Sequence, residues 1–419
     1  MSPNKVRWSA PEVRQLLQLV IIFIASAIET DIYLPAFPDM MKAFAVSEAQ
    51  IQGLLTWNFL GLCVSALVYG PLSDSFGRRK PLLAALGLFF LGSVLTVCAK
   101  DFSWLIVGRI LQGLGSGGCF SLGSAVIFDS FSAQKALVAL NLLNMIIPVL
   151  MAFAPILGGV LNQWFGFKAN FLVILIIVTF SLVASVIQFK ETLPQENRHP
   201  LEFNQLLRNF KKVVGSVPFW QMNLPVCLLF GGYLAFLSIT AVFFVVELGV
   251  APKVYPWFQA AVLGGWLIAS LSSSYIIQRF GAQRTKRVGI LILCFSMVGF
   301  ESTCLIAPRN PYALTVFIVL YTFGYNWVQT PYFGEIMGLM PKIKGVVGSV
   351  VTSFRLLAAS LMVAIVGEFY RQSIFSYAWV FLAMTILVLS MIYLREKGRP
   401  SNSYPAFTRE EITSAVIHS

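Results

Sequence analysis

The sequence predicts an all-α membrane protein, with twelve transmembrane helices in two pseudo-symmetric six-helix bundles and both termini in the cytoplasm. Three observations support this prediction. The 419-residue chain is 57% hydrophobic and only 11% charged, whereas about a quarter of the residues in a typical soluble domain are charged. Apolar stretches long enough to cross a bilayer recur along the whole chain. Basic residues are dense in every second connection between these stretches.

The apolar stretches define twelve predicted spans. Each must be a helix, because lipid offers an open backbone no hydrogen-bond partners, and the sequence lacks the ~10-residue alternating segments of a membrane barrel. The first stretch is not a signal peptide, since it has no small-residue cleavage site and contains Glu29 and Asp31. The spans are residues 15–38, 47–69, 81–99, 103–127, 136–161, 167–189, 217–247, 255–278, 288–307, 311–338, 344–370 and 373–394.

The distribution of basic residues orients the chain. With the N-terminus placed in the cytoplasm, 22 of the 30 lysines and arginines fall in the two tails and the even-to-odd connections. The opposite connections hold six, one each, and the remaining two, Arg109 and Arg355, lie inside spans. This is the positive-inside pattern. The net charge of +12 therefore orients the protein in the lipid bilayer, and we expect no nucleic-acid partner.

The cysteines and histidines do not suggest a metal site. All six cysteines lie in apolar runs without CxxC spacing, so they are predicted to be small buried hydrophobes. The two histidines, His199 and His418, lie in a connection and in the C-terminal tail. Carboxylates must therefore carry any proton that moves through the membrane.

The chain divides into two similar halves. The predicted domains are an N-terminal bundle (1–190), a cytoplasmic linker (191–216), a C-terminal bundle (217–395) and a cytoplasmic tail (396–419). The dipeptide Phe76-Gly77 recurs 204 positions later as Phe280-Gly281, as expected for a transporter built from parallel repeats. Within the linker, residues 201–214 could form an amphipathic helix on the membrane surface, although a plain tether is the favoured interpretation.

Three ionisable residues lie where a bilayer tolerates charge least. Glu29 and Asp31 fall in the first span and Arg109 in the fourth, and a charge at the bilayer centre costs about 2.5–3.5 kcal/mol on insertion scales. An acid and a base kept there suggest a shared aqueous cavity and proton-coupled transport. On an intact helix the two acids point about 200° apart, unless Pro35 and Pro38 kink the chain and bring them together. The alternatives are acids paired for structural reasons and an arginine bonded to backbone carbonyls.

The connection between the second and third spans carries the most specific motif. Residues 70–79 fit the pattern Gly-x-Leu-x-Asp-x-x-Gly-Arg-Arg, and here the chain resembles the major facilitator superfamily. Ser75 replaces a basic residue that is common in that family. The resemblance implies a latch between conformations, and the alternative is simple anchoring by positive charge. The predicted latch residues are Gly70, Asp74, Gly77, Arg78, Arg79 and Asp129, the last near the end of the fourth span.

Three further segments resemble motifs of this family. Residues 105–116 are similar to the fourth-helix pattern Arg-x-x-Gln-Gly-x-Gly. Residues 31–38 are similar to the first-helix signature of 12-helix drug:proton antiporters, especially the bicyclomycin-resistance branch. The residues that resemble the fifth-helix antiporter motif are Ala154, Pro155, Gly158 and Gly159, with Ala154 in place of glycine. The resemblance therefore implies a major facilitator fold and antiport.

The resemblance also implies roles for the charged residues. Asp31 matches the family position and is the expected principal proton carrier, with Glu29 as a second carrier or a cation contact. Arg109 stays protonated at any physiological pH, so it is a fixed charge that responds to protonation of a nearby carboxylate. Glu301 and Arg355 also lie within spans, and the sequence leaves open whether they form a functional pair or a structural one.

A polar and aromatic band on the tenth span, together with residues on four other spans, predicts the substrate site. Amphipathic ligands bind where apolar walls carry a few polar groups, and packing between helices is the alternative interpretation. The predicted substrate-binding residues are Tyr33, Trp57, Asn58, Gln112, Asn144, Tyr325, Asn326, Trp327 and Gln329.

The predicted function is export of cationic or neutral amphipathic small molecules in exchange for protons, by alternating access. The chain has no phosphate-binding Gly-x-x-x-x-Gly-Lys-Ser/Thr motif, so we expect the proton gradient as driving force and no cofactor. We expect a monomer in a bacterial inner membrane. Export of an endogenous metabolite such as a siderophore stays open, and proton-coupled import fits less well. A membrane enzyme or sensor finds little support, because the sequence has no histidine cluster and no nucleophile arrangement.

Overall fold

The structure is a computed structural model that describes residues 8–198, 202–369 and 374–397. In those residues all regular secondary structure is helical, without β-strands, which confirms the predicted all-α class. The α-helices are α1 (Ala10–Ile28), α2 (Phe37–Phe44), α3 (Glu48–Phe76), α4 (Arg79–Cys98), α5 (Phe102–Ser130), α6 (Ala133–Phe165), α7 (Lys168–Gln188), α8 (Phe203–Val214), α9 (Val217–Val242), α10 (Tyr255–Phe280), α11 (Ala282–Ile306), α12 (Pro311–Leu339), α13 (Lys344–Phe369) and α14 (Ile374–Lys397).

Ten of the described helices are long and apolar enough to cross a membrane. They are α1, α3, α4, α5, α7, α9 with the π-helical turn that follows it, α10, α11, α13 and α14. α6 and α12 coincide with the predicted fifth and tenth spans and contain 33 and 29 residues, but they are not among the ten. The fold is therefore that of a multi-pass membrane protein, while the count of twelve spans and the cytoplasmic termini stay predictions.

The first predicted span is interrupted at its acidic residues. α1 ends at Ile28, residues 29–33 form turns, and α2 begins only at Phe37 after a short 3-10 segment. Pro35 has no N–H to donate to the carbonyl of Asp31, which disfavours a continuous α-helix through this segment. The helix thus ends just before the two acids and not at the prolines. The angle of about 200° expected between Glu29 and Asp31 on an intact helix therefore does not apply.

The segment predicted as a loop over residues 70–80 is mostly helical. α3 continues to Phe76, and Gly77 alone reverses the chain with φ +84° before α4 begins. The same geometry recurs in the second half, where α10 ends at Phe280 and Gly281 also has φ +84°. Only glycine adopts this conformation without strain, so the Phe-Gly repeat in the sequence marks the same local structure in both halves.

The helices that precede α8 pack mainly against one another, and so do the helices that follow it. α5 lies between α3 and α4, α1 packs on α5, α6 and α7, and α12 packs on α9, α10 and α11. The main contacts between the two groups join α3 to α13 and α6 to α10. α8 forms inside the predicted 201–214 segment and packs on α13 and α9, with Val213 fully buried. Its position relative to a membrane surface and the exact domain bounds stay predictions.

Glycines let α5 approach both neighbours at backbone distance. A Cβ on Gly113 would collide with the carbonyl oxygen of Asn58 on α3. On the other side, a Cβ on Gly92 of α4 would lie 2.6 Å from the carbonyl oxygen of Gly108. Small residues are what allow membrane helices to pack this closely, so α5 is held between α3 and α4.

We expect Gly113→Ala to lower the stability of the purified protein, because the added methyl group meets backbone that cannot swing aside. Overpacking of this kind costs about 1–3 kcal/mol. The matched control is Gly264→Ala in α10, where a Cβ meets open space. Thermal unfolding in detergent should show a lower midpoint for Gly113→Ala only, and equal midpoints for the two variants would contradict the close packing of α3 and α5.

Candidate functional site

A fully buried ion pair joins the end of α1 to α5. Glu29 is the first residue after α1, and its Oε2 lies 2.6 Å from Nη1 of Arg109. Both side chains have 0% exposure. Because removing one member of such a pair leaves the other as an uncompensated buried charge, the two residues depend on each other.

Two neutral side chains complete the environment of the Glu29 carboxylate. Asn58 of α3 donates from Nδ2 to Oε1 at 3.2 Å, and Ser116 of α5 donates to the same oxygen at 3.0 Å. The carboxylate is therefore satisfied by donors from α3 and α5.

The guanidinium of Arg109 is held on three sides. Nη1 also donates to Gln112 Oε1 at 2.8 Å, and Nη2 donates to the hydroxyl of Tyr33 at 3.0 Å. The guanidinium carbon lies 4.4 Å from the centre of the Tyr33 ring, within range of a cation–π interaction. Gln112 is itself fixed by Ser93 and Thr96 of α4, with hydrogen bonds of 3.0 and 3.4 Å. The charge network thus connects α1, α3, α4 and α5.

The structure pairs Arg109 with Glu29 and not with Asp31, the expected principal carrier. Asp31 is 4% exposed, and Thr30 donates to it at 3.4 Å. It lies within electrostatic range of Tyr233, on α9 in the second half of the chain. The shared aqueous cavity expected from the sequence is not present around the ion pair, which is sealed from water in this structure. After the break at the end of α1, Glu29 contacts the guanidinium directly, whereas Asp31 lies within electrostatic range of Glu29 and Arg109 without forming an ion pair with Arg109.

The fifth-span motif packs on the acidic segment and on the second half at once. Ala154 is buried, and a Cβ on Gly158 would collide with the carbonyl oxygen of Ile32. A Cβ on the adjacent Gly159 would collide with the ring of Pro256, at the start of α10. Pro155 is buried within the same stretch of α6. The motif therefore provides the close approach between α6, the segment after α1 and α10.

The polar and aromatic band on α12 does not form one surface. Trp327 donates from Nε1 to Ser272 of α10 at 3.1 Å, whereas Asn326 donates to a carbonyl of its own helix at 2.9 Å. Tyr325 is buried close to Arg355, and Gln329 is partly buried. Only some members of the band are thus available to a ligand in this structure.

The other predicted substrate residues are divided in the same way. Asn58 and Gln112 are occupied in the charge network described above. Trp57, the neighbour of Asn58, is 42% exposed. The side chain of Asn144 lies outside the described residues. Their roles in binding stay predictions.

The latch residues of the first half surround Arg78. Its Nη1 lies 2.6 Å from Asp74 and its Nε 2.7 Å from Asp129 at the end of α5. Burial favours the neutral form of Arg78, but the hydrogen bonds and charges of the two carboxylates outweigh it and raise the pKa of the guanidinium. Arg79 is exposed and donates to a carbonyl of α7. The structure brings together the contacts that a latch requires, and gating itself stays a prediction.

Glu191 is a residue that the sequence analysis did not identify as part of this cluster. Its carboxylate accepts from the backbone N–H of Arg78 at 2.8 Å and of Arg79 at 3.3 Å, and it lies against Gly77. Burial favours the neutral acid, but the hydrogen bonds from backbone N–H groups, including that of Leu193, lower the pKa of Glu191. An acid directly after the sixth span was the only sequence signal, and its partners are 112 and 113 residues away.

A second unexpected cluster lies at the same end of the C-terminal helices. Glu335 of α12 lies 2.8 Å from Arg395 of α14 and 3.6 Å from Lys286 of α11. Both cations stand over the ring of Tyr332, at 4.7 Å for Lys286 and 4.9 Å for Arg395. In the first half one arginine is surrounded by acids, and here one acid is surrounded by cations. In the described part of the chain, no group of His, Cys, Asp and Glu comes together in a way that could hold a metal ion.

Known proteins resemble this chain over most of its length. The sequence model of the Major Facilitator Superfamily matches residues 19–363, which confirms the resemblance drawn from the motifs. A bicyclomycin resistance protein homolog of Haemophilus influenzae is 23% identical over 359 residues, which cover 84% of this chain and 88% of the relative. Multidrug resistance protein MdtL of Escherichia coli is 24% identical over 389 residues, which cover 91% and 95%.

A solved structure supports the fold alone. It is the inward-facing and occupied conformation of a bacterial homolog of the human lysosomal transporter Spinster. The TM-score is 0.76 at 13% identity, and the match covers 96% of this chain and 100% of that chain.

We expect Glu29→Gln to destabilise the protein strongly, because it leaves Arg109 as a buried charge without its counter-ion. Removing one member of a buried ion pair lowers the free energy of unfolding by about 3–5 kcal/mol. The double variant Glu29→Gln/Arg109→Gln should lose less than the sum of the single variants, with a coupling of about 0.5–3 kcal/mol. Unfolding midpoints in detergent measure both effects. The control is Glu12→Gln, which breaks the solvent-accessible pair with Lys135 and should lower the unfolding midpoint only slightly. If Glu29→Gln lowers the midpoint no more than this control, Glu29 and Arg109 are not a dry, mutually dependent pair.

We expect Arg78→Gln to lower the unfolding midpoint more than Arg79→Gln. Arg78 loses charge-assisted hydrogen bonds to two carboxylates, worth about 1–3 kcal/mol. The exposed neighbour should stay within about 0.5 kcal/mol of wild type. If the two substitutions have the same effect on thermal unfolding, the contacts around Arg78 do not stabilise this state of the protein.

Proposed function

Because this chain belongs to the major facilitator superfamily, we propose that it is a drug:proton antiporter that exports cationic or neutral amphipathic small molecules by alternating access. Members of this family are membrane transporters of small molecules and not enzymes. The names of the relatives, a bicyclomycin resistance protein homolog and a multidrug resistance protein, support drugs as cargo. We place the protein in the bacterial inner membrane as a monomer.

The buried pair of Glu29 and Arg109 is the observation that carries the proton-coupling proposal. Arg109 keeps its charge at any physiological pH, so a proton can bind only on the acid. Protonation of Glu29 would leave the arginine unpaired in a site with no access to water, at a cost of about 3–5 kcal/mol. A state in which Arg109 finds new partners would then be favoured, and this links proton binding to a change of conformation.

Asp31 supplies the second part of the coupling. It lies on the same broken segment and within electrostatic range of Tyr233 and Tyr255 of the other half. A change in its protonation therefore acts directly on the contact between halves. With both acids in the five-residue segment 29–33 after α1, proton binding affects the bundle interior and the bundle interface together.

In the proposed cycle, the substrate site opens alternately to the cytoplasm and to the outside of the cell. The contacts of Gly158 with Ile32 and of Gly159 with Pro256 lie on the side that the positive-inside pattern places outside the cell, so this state is closed outward. Substrate enters from the cytoplasm, and the halves rock to open outward. Protons from outside bind Asp31 or Glu29, the substrate leaves, and release of the protons to the cytoplasm restores the starting state. The proton gradient is the driving force, and no cofactor is needed.

A second candidate keeps the fold and changes the cargo to an anionic endogenous metabolite, such as a siderophore. The observation that favours it is Arg355, a cation inside a span that forms no ion pair with any residue the structure describes. Proton-coupled import fits less well, because the fifth-span motif resembles that of antiporters.

We expect wild-type protein in everted vesicles to release protons when a transported antibiotic or dye is added, since substrate entry into the vesicle must be exchanged for protons. Asp31→Asn should abolish this signal, and Asp101→Asn, an exposed acid at the start of α5, should retain it. A fluorescent pH probe records the change. Unchanged coupling in Asp31→Asn would move the role to Glu29 or Glu301, and no proton movement with any compound, together with a secretion defect in a deletion strain, would favour the metabolite exporter.

A further inference from the structure

Arg355 lies near the middle of α13, and among the described residues no acid forms an ion pair with it. It lies eleven residues after the start of α13, which is about 17 Å along the helix axis. Its guanidinium carbon lies 5.1 Å from the centre of the Phe230 ring on α9. The Nε atom is buried without a hydrogen-bond partner. Arg355 lies within hydrogen-bonding reach of the Tyr325 hydroxyl, but a neutral phenol does not balance its charge. Charged groups at such depth are normally paired, so this arginine can accept an anionic partner.

Two buried tyrosines pack on the same Phe230 ring that Arg355 contacts. Tyr233 of α9 and Tyr325 of α12 are 3% and 1% exposed. The Tyr233 hydroxyl has no hydrogen-bond partner among the described residues, and the Tyr325 hydroxyl lies within hydrogen-bonding reach of Arg355. Tyr325 lies within electrostatic range of Arg355 and of Tyr233. The ring of Phe230 contacts both tyrosine rings, with centroids 6.3 and 6.0 Å apart. We call these four residues, Phe230, Tyr233, Tyr325 and Arg355, the Arg355 pocket.

The Arg355 pocket has a counterpart of opposite charge in the other half. Asp31 lies within electrostatic range of Tyr233, the member of the pocket that reaches toward the N-terminal helices. A row of buried polar groups therefore runs from an acid on one half to a cation on the other. Transporters of this architecture hold substrate between their repeats, and this row joins the segment after α1 to α9, α12 and α13 in the second half of the chain.

We propose that the Arg355 pocket binds a carboxylate or a comparable anionic group of the transported molecule. A guanidinium presents several donors in a planar fork that fits a carboxylate with two parallel hydrogen bonds. The hydroxyls of Tyr233 and Tyr325 supply two further donors, and Phe230 offers an aromatic wall. Asp31 at the other end of the row takes a cationic or hydrogen-bond-donating group. This inference rests on the proposed export of amphipathic compounds and narrows the cargo to molecules that also carry an acid.

The test compares rhodamine B, which has a free carboxylate, with its ethyl ester, which shares the xanthene cation but has no anionic group. Fluorescence anisotropy measures the binding of each dye to the purified full-length chain in detergent. Wild type should bind the acid more tightly than the ester. Arg355→Gln should weaken binding of the acid by about tenfold or more, the range expected for a lost charged hydrogen bond, and leave the ester unchanged. Arg279→Gln, at an exposed arginine, is the control and should retain the preference for the acid.

The outcomes separate this inference from the proposed function. If both dyes bind and Arg355→Gln keeps the wild-type ratio of acid to ester affinity, the anionic subsite is wrong while export of amphipathic compounds stands. If wild type binds neither dye, the proposed cargo class fails and the subsite fails with it. Tyr325→Phe, which removes only a hydroxyl, provides the test if Arg355→Gln does not fold; it should reduce affinity for the acid severalfold, and no change in the ratio would overturn the proposal.

Discussion

The ion pair between Glu29 and Arg109 is the interaction on which the first half of the structure depends. Neither charge reaches water, so each must be compensated by protein groups, and these come from α1, α3, α4 and α5. Asn58 and Ser116 satisfy the acid, while Gln112 aligns the base. The helices cannot move apart without exposing a charge to an apolar interior. The pair is therefore both a structural tie and the point at which a single proton has the largest effect.

The sequence predicted the positions of the helices well and the contacts between charged side chains poorly, for a physical reason. In lipid every apolar stretch must satisfy its own backbone, so hydropathy alone located α10 at residues 255–278 where the structure has Tyr255–Phe280. The choice of Glu29 over Asp31 as the partner of Arg109 depends on where α1 ends, and this is set by backbone hydrogen bonds that composition does not report. The motif around Arg78 was recognisable because its residues are close in sequence.

Charge clusters built from distant residues escaped the sequence analysis. Glu191 and Arg78 are 113 residues apart, and Glu335 and Arg395 are 60 residues apart. Each acid looks like an ordinary interfacial charge until the helices are packed. The opposite polarity of the two clusters, an arginine among acids in one half and an acid among cations in the other, means that the halves preserve a common architecture while their electrostatics have diverged.

Adjacent glycines on α6 have a mechanical consequence. Gly158 rests on the backbone of Ile32, and Gly159 rests on the stiff ring of Pro256, so one turn of helix bears on both halves of the protein. Neither contact includes a flexible side chain that could absorb displacement. A tilt of α6 should therefore move the acidic segment and the start of α10 with it, so this turn couples the motions of the two halves.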